Sequence, residues 1–207
     1  MTRETGTLNA FFYGTLMHPK ILTRVIGNDG SHLQICPAVL KEFTRHKVKM
    51  EEYPGVVPIA QSGEHLLKGR ELSDEDTSVR GTLVTGLTAK DIRCLDFFEG
   101  PEYRRDPVKA YPLGPLANIS TYLFQFKELL PSKPPPLPRG SELLAAIDAD
   151  TYVFLELDKL EAEPWDFSGF VEQNAWKWYG TVEDGLVDYV AVVDERRQRG
   201  EFEMGSM

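Results

Sequence analysis

Glu99 is the side chain in this sequence best suited to moving a proton. It closes residues 86–101, a stretch that reads as one short helix with both ends marked. Thr88 suits the N-cap, and Asp91 three residues on imitates a capping box. Gly100 suits a left-handed stop, and Pro101 forbids continuation. On a helical wheel Ile92, Leu95 and Phe98 share a face, and Glu99 falls between Ile92 and Leu95. An acid there stands on the side that should meet the core. A carboxylate in the last turn also meets the negative end of the helix dipole, at a cost of about 0.3–1 kcal/mol. Burial among phenylalanines disfavours its charged form as well. Both effects push its pKa toward the range useful for acid–base chemistry at neutral pH. A solvated acid at a frayed helix end satisfies the same pattern, and the helix alone does not separate the two readings.

A second feature could hold an anion. Leu8-Asn9-Ala10-Phe11-Phe12-Tyr13 is a short apolar, aromatic run expected to form a buried strand. It stops at Gly14-Thr15-Leu16. Helical spacing then runs from His18 to Ile26, with Pro19 suited to the first turn and Gly27 to the stop. Consecutive backbone N–H groups in such a turn can converge on one point, and glycine permits close approach. As a bare pattern, a strand-to-helix turn with one glycine is equally an ordinary structural joint.

The elements that must position these two features follow along the chain. Residues 31–49 hold an apolar stretch and then an alternating strand with a basic outer face. Residues 53–60 give a turn and a strand whose Pro58 demands an edge or a bulge. Residues 63–78 are charged and read as a solvated loop. Residues 79–87 form a strand feeding the Glu99 helix, and residues 102–111 another strand. Residues 119–126 are strand-like, and 150–157 alternate well enough for a further strand. Residues 164–178 open a C-terminal helix whose aromatic stripe reads as core packing. The 196–207 end is expected to fray. Short strands with two or three helices point to an α+β fold with a small mixed or barrel-like sheet. The expected organisation is one domain over 8–182, with a proline-rich insertion at about 114–148 and a C-terminal extension over 183–207.

Composition narrows the function classes. The 207 residues are long enough for one domain with a real core, and a formal net charge of −9 argues against a nucleic-acid partner. No apolar run is long enough to span a membrane, and the opening heptad, which carries an acid, is not expected to act as a signal peptide. Cys36 and Cys94 are the only cysteines, which suits reduced thiols in a cytoplasmic protein. His18, His32, His46 and His65 are scattered without metal-ligand spacing, so no metal is expected. Residues 131–138 are polyproline-like: a linker or surface loop, or a docking segment for a partner of the SH3 kind.

Two stretches together say more than either alone. Phe12-Tyr13-Gly14-Thr15-Leu16, followed about 80 residues later by Leu95-Asp96-Phe97-Phe98-Glu99-Gly100-Pro101-Glu102-Tyr103-Arg104-Arg105, resembles the γ-glutamylcyclotransferase-like superfamily. The resemblance is nearest to its AIG2-like branch, which includes γ-glutamylamine cyclotransferases. Tyr53-Pro54-Gly55-Val56-Val57-Pro58, Ala149-Asp150-Thr151-Tyr152-Val153 and the Trp-rich helix are similar to further segments of that family. The likeness covers roughly residues 8–113 and 149–180. It implies a small barrel-like mixed β-sheet flanked by helices, and cyclisation of a γ-glutamyl amide to 5-oxoproline with release of an amine.

On that resemblance Glu99 aligns with the catalytic glutamate, and Tyr13, Gly14, Thr15 and Leu16 align with the substrate-binding loop. Tyr103 and Tyr152 match aromatic positions near the pocket, where core packing would equally account for them. Arg105 is a candidate for the substrate carboxylate, or a solvated charge on a strand face. The partner implied is a small γ-glutamyl substrate, with no cofactor and a monomeric chain. Two other readings stay open: a related acyl- or amide-transforming enzyme of specialised metabolism, and a non-catalytic binding protein on the same fold.

Overall fold

The computed structural model describes residues 8–67, 73–123, 125–131, 133–165, 167–179, 194–195 and 198–199. Strand β1 (Leu8–Phe12) leads through a 3-10 turn (Thr15–Met17) into α1 (Pro19–Ile26). Then come β2 (Gln34–Lys41), β3 (Phe43–Val48), β4 (Pro54–Pro58) and α2 (Ile59–His65). β5 (Ser78–Leu87) feeds α3 (Ala89–Glu99), and β6 (Tyr103–Pro112) follows. After β7 (Ala117–Asn118) come a 3-10 turn (Ile119–Tyr122) and α4 (Phe126–Leu129). Beyond them lie β8 (Ile147–Phe154), β9 (Leu160–Pro164), α5 (Phe167–Gln173) and α6 (Ala175–Tyr179).

Five strands close on themselves in the order β5-β1-β8-β6-β2, with β2 returning to β5. The β1–β8 pair is parallel and the other four are antiparallel, which makes this a small mixed barrel flanked by helices. β1 explains why its run is apolar throughout. Phe11 and Tyr13 point into the barrel with Cys36, Ala38, Leu40 and Leu83, while Ala10 and Phe12 face the helical layer. A strand buried on both faces has no polar side to alternate with. The helical layer packs Leu16, Ile21, Leu22 and Val25 against Ile92, Leu95 and Phe98. Each such side chain contributes about 1.5–3 kcal/mol by leaving water. The second sheet, β4-β3-β9, places β4 at an edge, where Pro54 and Pro58 leave no ladder bond unmade.

Several expectations need correction. Residues 119–126 were expected to be strand-like, yet Ile119–Tyr122 form a 3-10 turn and α4 begins at Phe126. The Asn118 side chain accepts the Ser120 amide at 2.9 Å and starts a 3-10 turn, which overrides the β-branched composition. α2 occupies the front of the expected 63–78 loop, and β9 precedes the expected C-terminal helix, which is broken at Asn174 into α5 and α6. Gly100 has φ +72° and ψ −168°, an extended glycine-only conformation in place of a left-handed helical one. Within residues 114–148, Ile119 and Leu129 are buried in the helix-side core. The proline-rich segment is seated on the barrel: Arg80 donates to the Pro135 carbonyl at 2.8 Å, and Leu137 N–H donates to Glu75 at 3.0 Å. The opening heptad, the middle of the charged loop and most of the 183–207 extension, its expected frayed end included, lie outside the described residues. Among the described residues no helix is long and apolar enough to cross a membrane.

Candidate active site

α3 holds its last residue in place by anchoring its first turn. Thr88 Oγ1 accepts the Asp91 amide at 3.1 Å and Asp91 accepts the Thr88 amide at 2.8 Å, a complete capping box. The sequence shows the cap but not its reach. Asp91 is buried and also accepts from Asn28 at 2.8 Å and His32 at 3.0 Å, which ties α3 to the loop after α1. Burial opposes the Asp91 charge, but the bonds from Thr88, His32 and Asn28 outweigh it and keep its carboxyl below the usual range.

At the far end of α3, half-buried Glu99 lines a cavity of about 230 Å³. The turn that follows β1, Tyr13, Gly14, Thr15 and Leu16, lines the same cavity. Tyr103 and Tyr152 line the same space. Five of the expected sites therefore come from two distant segments, and two more from β6 and β8. Pro54 packs under the turn so closely that a Cβ on Gly14 would stand 3.0 Å from its ring. Arg105 is not brought into the cavity. Its guanidinium bridges Asp96 at 2.9 Å and Asp150 at 2.6 Å on the outer side of β6.

The hydroxyl hydrogens of three phenols around the cavity are committed. Tyr13 donates to the Tyr152 carbonyl, Tyr103 to the Pro54 carbonyl at 2.9 Å and Tyr152 to Asp96 at 2.8 Å. A phenol has one hydrogen to give, so these three oxygens can only accept from anything bound in the cavity. All three phenols are held neutral. Burial raises the pKa of each, and the Glu99 charge adds to the rise in all three. The same cavity is lined by the start of a 3-10 turn, whose first amides have no partner within the turn. The lining thus brings three phenol oxygens and a carboxylate together with the opening residues of that turn.

Sequence reasoning did not assign Glu51, Glu102 or Trp178 to this site. Trp178 was read as core, and it does pack edge-on against Phe98 at 6.1 Å, but it also closes one side of the cavity. Glu102 accepts from Tyr53 at 3.3 Å and from Lys159 at 3.2 Å. Its position directly after Gly100-Pro101 was the available signal. Among the described residues the lining includes three acids and no basic side chain. Also among them, no group of three or more His, Cys, Asp or Glu could hold a metal ion.

Comparison with known proteins identifies the family. The sequence profile of the family described as "Gamma-glutamyl cyclotransferase, AIG2-like" matches residues 10–141, more than half of the chain. Arabidopsis thaliana AIG2-like protein C is 26% identical over 130 residues, covering 62% of this chain and 65% of that protein. Protein AIG2 C of the same plant is 24% identical over 122 residues, covering 58% and 63%. The match therefore spans less than two thirds of either relative's length. An Arabidopsis thaliana protein known from a solution structure superimposes with a TM-score of 0.51 at 19% identity, over 90% of this chain and 86% of that one, a likeness of fold.

Proposed function

The chain belongs to the AIG2-like gamma-glutamyl cyclotransferase family, and on that premise we propose that it cyclises a γ-glutamyl amide to 5-oxoproline and releases an amine. Glu99 is the general acid and base. It takes a proton from the substrate's α-ammonium, and the freed nitrogen adds to the side-chain carbonyl carbon of the same molecule. The new C–N bond closes a five-membered ring and leaves an oxyanion. Collapse of that intermediate breaks the bond to the departing nitrogen, which takes its proton from Glu99; the carboxylate so regenerated then passes the ring nitrogen's second proton to the released amine, which leaves as an ammonium. Atoms and protons balance without water or a cofactor. Because both reacting groups lie in one molecule, holding it folded supplies much of the acceleration.

The observation that carries this reading is the set of groups that share the cavity lining. The phenol oxygens of Tyr13, Tyr103 and Tyr152 and the Glu99 carboxylate suit an ammonium. The amides of the Gly14–Leu16 turn suit a carboxylate or a developing oxyanion. A γ-glutamyl group presents both charges a few ångströms apart. The test is to incubate the protein with γ-glutamyl alkylamides and γ-glutamyl dipeptides and assay 5-oxoproline. Turnover abolished by Glu99→Gln in a folded protein supports the proposal. No 5-oxoproline from any γ-glutamyl amide overturns it.

A further inference from the structure

Arg45 lies on β3, outside the cavity, yet it grips the main chain of the turn that lines it. One guanidinium nitrogen donates to the Tyr13 carbonyl at 2.8 Å and to the Arg80 carbonyl at 3.2 Å. The guanidinium carbon stands 5.4 Å from the centre of the Trp165 ring, which fixes its plane. We propose that Arg45 is a positioning residue for the reaction, setting the direction and donor strength of the Gly14 amide from behind the turn. The inference rests on the cyclotransferase reading above.

The geometry follows from one peptide plane. No cis peptide occurs among the described residues, so the Tyr13–Gly14 unit is trans and its N–H points opposite to its C=O. Arg45, which does not line the cavity, holds the C=O. The Gly14 N–H is therefore aimed the other way, and Gly14 lines the cavity. A carbonyl bonded to a cation is polarised, and the N–H of the same amide becomes a stronger donor. Tyr13 is fixed at both ends, its carbonyl by Arg45 and its hydroxyl by the Tyr152 carbonyl. The corner cannot rotate without breaking one of these bonds. A donor so fixed meets the charge that develops on the γ-carbonyl oxygen during ring closure, with no reorganisation at that moment.

The test compares Arg45→Gln and Arg45→Lys with the unaltered full-length protein. Two readouts are taken: steady-state kinetics on a γ-glutamyl alkylamide, and the Gly14 amide resonance in a ¹H–¹⁵N spectrum. Loss of the cation is expected to move the Gly14 proton upfield and lower kcat about tenfold while KM stays within about threefold, because the donor is weakened mainly where charge develops. Arg45→Lys, which keeps the charge and the stem on Trp165, should fall between; it carries the test if Arg45→Gln does not fold. An unmoved Gly14 resonance overturns the proposal, and so does a moved resonance with unchanged kcat. If the unaltered protein turns over no γ-glutamyl amide, the proposed function fails, and the Gly14 resonance separately decides whether Arg45 sets that amide.

Discussion

Tyr152 donates its phenolic hydrogen to Asp96 Oδ1 at 2.8 Å, and Arg105 holds the same carboxylate oxygen at 2.9 Å. The network fixes the Tyr152 ring, which lines the cavity, and leaves its oxygen able to accept but not to donate. Tyr152→Phe keeps the ring and removes that acceptor. A hydrogen bond to an ionised group contributes about 1.5–3 kcal/mol, so KM for a γ-glutamyl amide should rise about tenfold or more, with kcat changed less. Steady-state kinetics on the variant measure this. An unaltered KM would show that the phenol oxygen does not meet the ammonium.

Glu99→Gln should remove the proton carrier and keep the shape. We expect kcat to fall by about 10²–10⁴. Thermal stability should hold or improve slightly, because an acid in the last turn opposes the dipole by about 0.3–1 kcal/mol. The pH profile of kcat/KM in the unaltered protein should show an ionisation above the ordinary glutamate value of about 4.3. Ultraviolet titration gives a second readout. The Glu99 charge raises the pKa of Tyr13, Tyr103 and Tyr152, so its removal should bring phenol ionisation to lower pH. Those raised values stabilise the fold below pH 10 and cease to do so as pH climbs past it, since only the unfolded chain then loses its protons readily.

The Glu99 helix was legible because every signal for it is local. Thr88 and Asp91 cap it, Pro101 ends it, and an acid on an apolar face marks its last turn. The β1 turn was legible for the same reason. What was hidden depends on contacts between distant segments. Nothing near Pro54 says that its carbonyl would occupy the Tyr103 hydroxyl, 49 residues away. Arg105 carries the right charge beside the right motif, but its strand turns it toward Asp96 and Asp150 and away from the cavity. Residues 119–126 misled because composition favoured a strand while one asparagine side chain set the backbone otherwise. Trp178 shows that packing and lining the cavity are compatible in one residue, which a helical stripe cannot reveal.

His18 makes stability depend on acid. It is 1% exposed at the N-cap of α1, where Nδ1 accepts the Lys20 amide at 3.3 Å. Burial, with Lys20 nearby, lowers its pKa from 6.5 to about 4. The unfolded chain therefore binds a proton between those values that the folded chain refuses. Stability is full above pH 6.5 and is lost as pH falls toward 4, by up to about 3 kcal/mol for this group. Protonation would also remove the acceptor that caps the helix. Melting temperatures measured from pH 7.5 to 4 should fall, and His18→Asn, a cap that does not titrate, should flatten the decline. An equally steep decline in that variant would assign the acid sensitivity to other groups.

Gly81 and Gly100 are both constrained, for different reasons, and should fail differently. A Cβ on Gly81 would lie 2.1 Å from the Phe12 carbonyl oxygen and 2.6 Å from Phe11 Cζ, inside a closed barrel with no room to shift. Gly81→Ala should cost at least the roughly 3 kcal/mol at the upper end of ordinary overpacking, and activity should vanish together with the fold. A Cβ on Gly100 meets nothing within 4 Å, so only its positive φ resists substitution. That strain is worth about 1–3 kcal/mol, which lowers the melting temperature by a few degrees in a chain of this size. Yet Gly100 follows Glu99 directly, and relief of the strain re-aims the end of α3. Gly100→Ala should therefore lose far more activity than stability, whereas Gly81→Ala loses both. Matched losses in Gly100→Ala would mean that the angle of the last turn does not matter to the acid it carries.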